Sequence, residues 1–391
     1  MVQNEFGDFM ALSLVDSAML SENKKLFELL QLALAPAGYA VSFSQKWSDE
    51  EWNKIHDEAL KQLLAGMVYG AVCRLPQNLK PSLGLMFQWA SEAEAIKGHN
   101  KLLNEYAARL TDKFGAMGRR TAVLKGPANA RLYPDPSLRQ AGDIDLWVEG
   151  GKKSILKLLK QMGYVVSRDD VLSKHHVHLH PTENDIPVEI HFCPSSGNHN
   201  PFSNARMQRY LESEILKAEK VPEGFYSPSI RFALVMQMSH IQRHFLGGGI
   251  GLKQLTDYYI LLQRSSEEDR AEVASHLASF SLLQMSGAVM WIFENLYGLE
   301  KEKLLCKSDE RRGKMLLEKI LDGGNFGRFS KKKFINFIHR FLNKHFSVFG
   351  TCWFNPPEVV WCEIDRWRLF ARSIPVRIRL RRISLYNNMP E

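Results

Sequence analysis

The most constraining feature of this chain is a short segment at residues 142–148, with the sequence GDIDLWV. Apolar and acidic side chains alternate in it, and side chains two residues apart on a β-strand point to the same face. If the apolar residues face a core, Asp143 and Asp145 both face outward, where their oxygens can hold a hard divalent cation. The alternative is a pair of solvated acids at the end of a strand.

The ion that fits such a pair is Mg²⁺, with Mn²⁺ as the second candidate. Mg²⁺ usually takes only one or two carboxylates and completes its coordination with water and substrate phosphates. The two aspartates therefore predict a nucleotide ligand together with the metal.

Length, composition and cysteine usage limit the class of protein. With 391 residues, 45% of them hydrophobic, the chain can bury a sizeable core, and we expect two or three domains. No run approaches the roughly 20 apolar residues of a membrane-spanning helix, and the N-terminus carries no secretory signal pattern. The five cysteines are odd in number and form no Cys-x-x-Cys pair. We therefore expect reduced thiols, a cytoplasmic location and no transmembrane segment.

Positive charge is concentrated near the C-terminal end. The formal net charge is +8, and residues 366–382 contain seven arginines and no acid. A solvated or self-paired surface on a terminal helix and strand explains this run better than a binding site does. Residues 326–349 place phenylalanines among lysines and arginines, but their near-helical spacing favours packing into a bundle over base stacking. A nucleic-acid partner is an alternative that the sequence does not favour.

Periodicity divides the chain into four parts. We predict an N-terminal helical region at 1–117, an α/β core at 118–200, a helical domain at 201–325 and a basic aromatic segment at 326–391. The predicted fold class is α+β, with a small mixed sheet and flanking helices embedded between the N-terminal helices and a C-terminal helical bundle.

Capping residues and periodicity also predict the individual elements. Helices are expected at 23–34, 48–67, 82–114, 126–132, 152–162, 229–245, 252–262, 267–296 and 309–322. Strands are expected at 121–124, 144–148 and 164–167, followed by a hairpin of 175–180 and 188–192. A glycine turn at 247–249 separates two of the later helices.

The order of an apolar strand, a glycine turn, a helix and a strand with Asp-x-Asp resembles the nucleotidyltransferase superfamily that includes DNA polymerase beta. More closely, the LKG of 124–126, the YPDP of 133–136, Arg139 and the GDIDL of 142–146 look like a large, mostly uncharacterised bacterial family of these enzymes. The resemblance implies a nucleotidyltransferase-type sheet and Mg²⁺-dependent transfer of a nucleoside monophosphate from an NTP to an acceptor hydroxyl. We expect AMP from ATP, whereas the acceptor has no short sequence pattern.

The resemblance also implies a third acid on a later strand, and the matching position is Glu189. Because side chains alternate along a strand, its two apolar neighbours are expected to face the core, and Glu189 is expected to face the same side as Asp143 and Asp145. Asp143, Asp145 and Glu189 are therefore the predicted catalytic and metal-binding acids. An exposed strand acid is the alternative for Glu189.

Superfamily members often hold the triphosphate with a Gly-Ser pair at a helix N-terminus. This chain has Gly126-Pro127, which lacks the hydroxyl and one backbone N–H. Because the closer resemblance carries Lys-Gly, Lys125 and Gly126 are predicted to bind phosphate. Arg139 is a second predicted phosphate contact, since guanidinium grips phosphate oxygens with two parallel bonds. For either cation a surface role is the alternative.

The segment 240–257 resembles the second half of the family. His240 and His244 lie one helical turn apart, as do Lys253 and Asp257, and all four are predicted to bind the nucleotide. The resemblance implies that Lys253 contacts the β- or γ-phosphate and that Asp257 orients it. A plain i, i+4 ion pair is the alternative for these last two residues.

A cluster of histidines leaves a zinc site open as a further alternative. The five imidazoles are at positions 175, 176, 178, 180 and 191. Three of them share one strand face, and the hairpin brings His191 near them. Strand register decides whether they lie on the side of Glu189. A polar rim of the nucleotide cleft and a surface strand are the competing interpretations.

Two other functions stay open. A metal-dependent glycosyltransferase would use Asp-x-Asp to hold a sugar nucleotide, although here a helical region precedes the motif. An inactive nucleotidyltransferase fold would act as a nucleotide-, RNA- or protein-binding module, which the missing Gly-Ser element supports.

Overall fold

The computed structural model of the protein describes residues 23–36, 46–167, 170–171, 173–247, 249–324 and 352–379. The predictions for Gly248, for the basic aromatic segment at 326–349 and for the arginines beyond residue 379 lie outside the described residues.

The N-terminal part is helical, as its periodicity predicted. It contains α1 (residues 23–34), α2 (Asp49–Lys61), α3 (Ala65–Cys73) and α4 (Leu83–Ala116). A capping box starts α2: the Glu51 amide donates to Ser48 Oγ at 3.2 Å, and the Ser48 amide donates to Glu51 Oε2 at 2.7 Å. The single helix predicted over 48–67 is wrong, because Leu63 adopts a φ of 56° and interrupts it.

The central part forms a four-stranded sheet. Its elements are β1 (Thr121–Val123), α5 (Pro127–Ala130), β2 (Ile144–Val148), α6 (Gly151–Gln161), β3 (His176–His178) and β4 (Val188–His191). The strand order is β1-β2-β4-β3, with β2 and β4 parallel and the other two pairs antiparallel. This mixed sheet with flanking helices confirms the predicted α+β class.

The strand predicted at 164–167 is wrong. These residues follow the glycine turn that ends α6 and have no strand conformation. Val165 N donates to His180 O at 2.8 Å, and one such bond does not make a strand pair. The predicted hairpin does form, since β3 pairs with β4 in antiparallel register.

Strand β2 lies between two hydrophobic clusters. Ile144, Leu146 and Val148 are fully buried in a cluster that includes side chains of α4 and α6. Trp147, on the other face, belongs to a larger cluster formed mostly by helices. All five residues of the strand are buried. The face that carries Asp145 is therefore turned toward the helical part of the molecule.

The chain continues through a short hairpin and further helices. These are α7 (Pro201–Ile215), β5 (Glu219–Lys220), β6 (Tyr226–Ser227), α8 (Ile230–Gly247), α9 (Leu252–Arg264), α10 (Glu267–His276), α11 (Leu283–Ile292), α12 (Glu310–Gly323) and α13 (Pro356–Arg379). The single helix predicted over 267–296 is wrong, since Ser281, with a φ of 58°, separates α10 from α11. Among the described residues, none of the helices combines the length and apolarity that crossing a membrane requires.

Helix α13 carries the first part of the arginine run. Arg366 pairs with Glu363, and its Nη2 donates to the Leu246 carbonyl at 2.6 Å. Arg368 Nη1 lies 3.7 Å from Asp365 Oδ1. For these two arginines the structure supports the predicted self-paired surface.

Candidate nucleotide and metal site

Two adjacent strands position the predicted acids. Asp145 in β2 is directly opposite Glu189 in the parallel strand β4, and Asp143 immediately precedes β2. Because the apolar residues of both strands face the core, Asp145 and Glu189 share the other face. The side chain of Asp145 is 2% exposed, that of Glu189 25% and that of Asp143 40%. The acids therefore extend from a buried position to the surface.

Lys125 lies between the two aspartates. Its Nζ is 2.7 Å from Asp145 Oδ2 and 3.8 Å from Asp143 Oδ2. Burial acts to lower the pKa of Lys125, but the charges of Asp145 and Asp143 outweigh it and raise that pKa above its ordinary value. Lys125 is therefore a charged counter-ion of the two carboxylates.

The turn after β1 fixes the position of Lys125. Leu124 N donates to Asp145 O at 2.9 Å, which extends the β1–β2 pairing up to the lysine. Gly126 then adopts a φ of 63°, and a Cβ there would lie 3.2 Å from the Asp143 carbonyl oxygen. This position requires glycine because the backbone is left-handed and passes close to the acidic strand.

His191 is a second cationic partner of the acids. Its Nε2 lies 3.0 Å from Asp145 Oδ1 and 3.3 Å from Glu189 Oε2. Burial acts to lower the pKa of His191, but the bonds to Asp145 and Glu189 raise it to about 9. Alternation along the strand predicts from the sequence that His191 shares the face of Glu189. The contact with Asp145, on the neighbouring strand, was not predicted.

The two cations keep the buried acids ionised. Burial acts to raise the pKa of Glu189, yet the hydrogen bond from His191 and the nearby charges lower it to about 2. For Asp145, Lys125 and His191 likewise outweigh burial and lower the pKa. Both carboxylates are therefore charged at neutral pH, as metal ligands must be.

Part of this cluster is spaced as metal ligands would be. One ligand atom from each of Asp145, Glu189 and His191 lies within 4.8 Å of the others. Asp143 is outside this group and contacts Lys125. His191, charged at neutral pH, could bind a metal only after losing its proton.

Arg139 and Asp257 form a buried bidentate ion pair. Arg139 Nε donates to Asp257 Oδ1 at 3.0 Å, and Nη2 donates to Oδ2 at 2.5 Å. The Tyr133 hydroxyl also donates to Asp257 Oδ1, at 2.7 Å. Both oxygens of Asp257 therefore hold Arg139. The predicted pairing of Asp257 with Lys253 is wrong as a direct contact within the described part of the chain.

A cleft brings most of the predicted residues together. Its lining consists of Lys125, Gly126, Arg139, Gly142, Asp143, Gln237, His240, Ile241, Lys253, Gln254 and Asp257. His244 lies beside His240, with ring centroids 4.2 Å apart. Asp145 and Glu189 do not line the cleft, since they lie deeper, beside Lys125. Sequence segments from the sheet and from α8 and α9 thus meet at one surface.

An amide pair joins these segments. Asn129 of α5 and Gln237 of α8 exchange two hydrogen bonds, of 3.0 and 2.9 Å, and both residues are buried. Each amide satisfies the donor and acceptor of the other, so the contact is specific as well as buried. It fixes α8 against the Lys-Gly turn.

The positive charges in the cleft come from its lysines and its arginine and not from its histidines. Burial and the nearby Arg139 lower the pKa of Lys253 to about 8. Burial, with the charges of Lys125 and Arg243, lowers the pKa of His244 to about 4. Burial also holds the pKa of His240 well below its ordinary range. The two histidines are therefore neutral at pH 7. The cations that line the cleft are Lys125, Arg139 and Lys253, of which the first two are paired with acids.

The mixed sheet thus places opposed acids on adjacent parallel strands, next to a cleft lined by three cations and two acids. The chain belongs to the family described as uncharacterised nucleotidyltransferase, which matches residues 48–298. This range is more than half of the chain and includes every predicted site residue. No curated protein matches the chain.

Proposed function

We propose that this protein is a Mg²⁺-dependent nucleotidyltransferase of the superfamily that includes DNA polymerase beta, and that it transfers AMP from ATP to an acceptor hydroxyl. The observation that carries the proposal is the register of Asp145 against Glu189 beside a cleft containing Lys125, Arg139 and Lys253. Asp143 lines this cleft together with the three cations, and Asp145, which pairs with Lys125, is opposite Glu189.

In this proposal the three acids hold the metal. When bound, Mg²⁺ neutralises charge on the phosphate oxygens and on the leaving pyrophosphate. Asp143 is the most exposed of the acids and lines the cleft, so it would hold the ion nearest to a bound nucleotide. Asp145 and Glu189 would supply the other carboxylate ligands. Mn²⁺ is the second candidate ion, because it also accepts oxygen ligands.

Lys125 changes partner on ligand binding in this proposal. Its ammonium pairs with the carboxylates that the metal would take. With these carboxylates engaged by a metal, Lys125 would be available to bind a phosphate oxygen in the cleft that it lines. Lys253 contacts the β- or γ-phosphate, and Arg139, held rigidly by Asp257, contributes a fixed positive charge. His240 and His244 form the neutral wall of the nucleotide pocket.

The proposed domain organisation agrees with this cleft. We assign residues 118–200 to the α/β core and 201–325 to a helical domain that completes the nucleotide site, because lining residues come from both. Among the residues that the structure describes, neither the helical region at 1–117 nor the segment at 326–391 contributes to the cleft lining. All five cysteines are free thiols, which agrees with a reducing, cytoplasmic location.

A binding module without transferase activity is the second candidate. The observation that favours it is Pro127 at the first position of α5, where an amide N–H would otherwise face a phosphate. In that case the acids and cations would bind a nucleotide without transferring it, and RNA or a protein would be the partner.

The experiment that tests transfer is label incorporation from each of the four α-³²P-NTPs into an extract. We expect Mg²⁺-dependent labelling of one acceptor class, strongest with ATP, and none with Asp143→Asn. Arg109→Ala is the matched control, because its exposed pair with Glu183 is remote from the acids. Metal-dependent ATP binding without any labelling would favour the binding module, and turnover of UDP-sugars alone would favour a glycosyltransferase.

A further inference from the structure

A histidine cluster lies on the sheet beside the acids. Strand β3 pairs with β4 in antiparallel register, which places His176 opposite His191 and His178 opposite Glu189. The register places these imidazoles on the side of Glu189 and not on the core side. Val177, between the two histidines of β3, is fully buried and faces the core.

Two imidazoles converge on one carboxylate. His176 Nδ1 is 3.6 Å from Glu189 Oε2, and His178 Nε2 is 3.9 Å from Glu189 Oε1. These contacts are longer than hydrogen bonds. Ligands about 2.1 Å from a tetrahedral ion are about 3.4 Å from one another. The three groups are therefore spaced as ligands of one ion, and all their ligand atoms lie within 4.8 Å of each other.

A buried carboxylate orients one of the imidazoles. Asp170 is 5% exposed, and its Oδ1 lies 3.3 Å from His178 Nδ1 and 3.0 Å from the His178 amide nitrogen. With Nδ1 facing this carboxylate, Nε2 is the nitrogen presented to Glu189. A metal-binding histidine almost always bonds a carboxylate or carbonyl through its other ring nitrogen in this way.

The second imidazole has a buried nitrogen that lacks a partner. Among the described residues, nothing accepts from or donates to His176 Nδ1 within hydrogen-bond distance. Buried polar atoms are nearly always satisfied. The same atom is the one that lies 3.6 Å from Glu189, so a ligand between them would satisfy it.

We infer that His176, His178 and Glu189 form a site for a borderline transition-metal ion of the Zn²⁺ class, distinct from the oxygen ligands Asp143 and Asp145. Imidazole selects such ions over Mg²⁺. Three protein ligands leave one coordination position open to water or to another ligand. The inference shares Glu189 with the proposed function but needs neither nucleotide nor transfer.

The test is a calorimetric titration of the full, metal-free chain with Zn²⁺ and no nucleotide. Co²⁺ titration followed by visible absorption provides a second readout, since its spectrum reports imidazole coordination. We expect one site in the wild type and an affinity at least tenfold lower in His178→Ala, whose side chain is 53% exposed and whose loss the fold tolerates. Asp170→Asn is expected to weaken binding about tenfold.

Two control variants separate this site from others. His180→Ala removes an exposed imidazole of the same segment and should leave Zn²⁺ affinity unchanged. Asp143→Asn should also leave it unchanged, although that variant disables the proposed nucleotide site. Absence of Zn²⁺ binding in the wild type, or equal affinity in His178→Ala, would overturn the inference. Because both proposed sites use Glu189, failure of nucleotide transfer is identified separately with Asp143→Asn, which leaves the three Zn²⁺ ligands in place.

Discussion

The acids of this site are held in place by two side-chain cations. Lys125 contacts Asp143 and Asp145, and His191 contacts Asp145 and Glu189. Ionised carboxylates so close together repel unless a positive charge separates them. In the protein without metal, these two residues therefore contribute to folding as well as to ligand binding.

His191 makes the stability of the metal-free protein depend on pH. Its pKa rises from an ordinary 6.5 to about 9 in the folded state, so the folded protein binds this proton more tightly than the unfolded chain. The stabilisation is fully present below pH 6.5 and is lost as pH rises through 9. The pKa difference corresponds to roughly 3 kcal/mol.

Urea denaturation across this pH window, in the presence of a chelator, measures the effect. We expect the wild type to lose stability between pH 6.5 and 9, and His191→Gln to lack this loss. His180→Gln, which removes an exposed imidazole, should behave as the wild type does. An identical pH dependence in wild type and His191→Gln would contradict this charge assignment.

Lys125→Met should destabilise the metal-free protein by about 3 kcal/mol, because it leaves the buried carboxylate of Asp145 less compensated. Mg²⁺ should then stabilise this variant more than it stabilises the wild type, since the ion replaces the missing ammonium. Thermal unfolding with and without Mg²⁺ measures both effects. Lys54→Met, which removes an exposed partner of Glu50, is the control. Equal Mg²⁺ responses in Lys125→Met and wild type would refute the idea that lysine and metal share one position.

At the scale of elements, β2 joins the two hydrophobic clusters and carries the acids between them. The sequence predicted this strand residue for residue, because apolar and acidic side chains alternate along it. The opposed strand β4 was also predictable, since Glu189 follows the same alternation. Side-chain period was sufficient for these two strands, but it also predicted a strand at 164–167 that does not form.

The features that sequence reasoning missed depend on conformation or on distant partners. The helix breaks at Leu63 and Ser281 have left-handed backbone at residues that carry no turn pattern. The Arg139–Asp257 pair joins positions 118 residues apart, and no local sequence pattern predicts a contact over that separation. Helical spacing on α9 instead suggests an i, i+4 contact between Lys253 and Asp257.

The Arg139–Asp257 pair fixes α9 against the segment before β2. Arg139→Ala leaves the carboxylate of Asp257 buried without its bidentate partner and should destabilise the protein by about 3–5 kcal/mol. Arg139→Lys should lose part of this stability, because an ammonium keeps the charge but cannot form both parallel bonds. Urea denaturation measures the change in the free energy of unfolding. Arg109→Ala, which removes an exposed ion pair, should cost less than about 1 kcal/mol; a comparable cost for both alanine variants would contradict this role.

At the scale of the whole molecule, the charge of +8 is not the feature that locates the site. The first two arginines of the C-terminal run pair with acids on their own helix. The proposed nucleotide site instead combines a few cations and acids in a cleft between the sheet and α8 and α9. The family match covers the site and stops before the basic end of the chain.

The central claim is that the acids of β2 and β4 hold a divalent cation that binds a nucleotide. Calorimetric titration of the full chain with ATP, in Mg²⁺ and in chelator, tests it most directly. We predict Mg²⁺-dependent binding in the wild type and its loss in Asp143→Asn and Asp145→Asn, with both variants still folded by circular dichroism. Unchanged ATP affinity in these folded variants would contradict the claim.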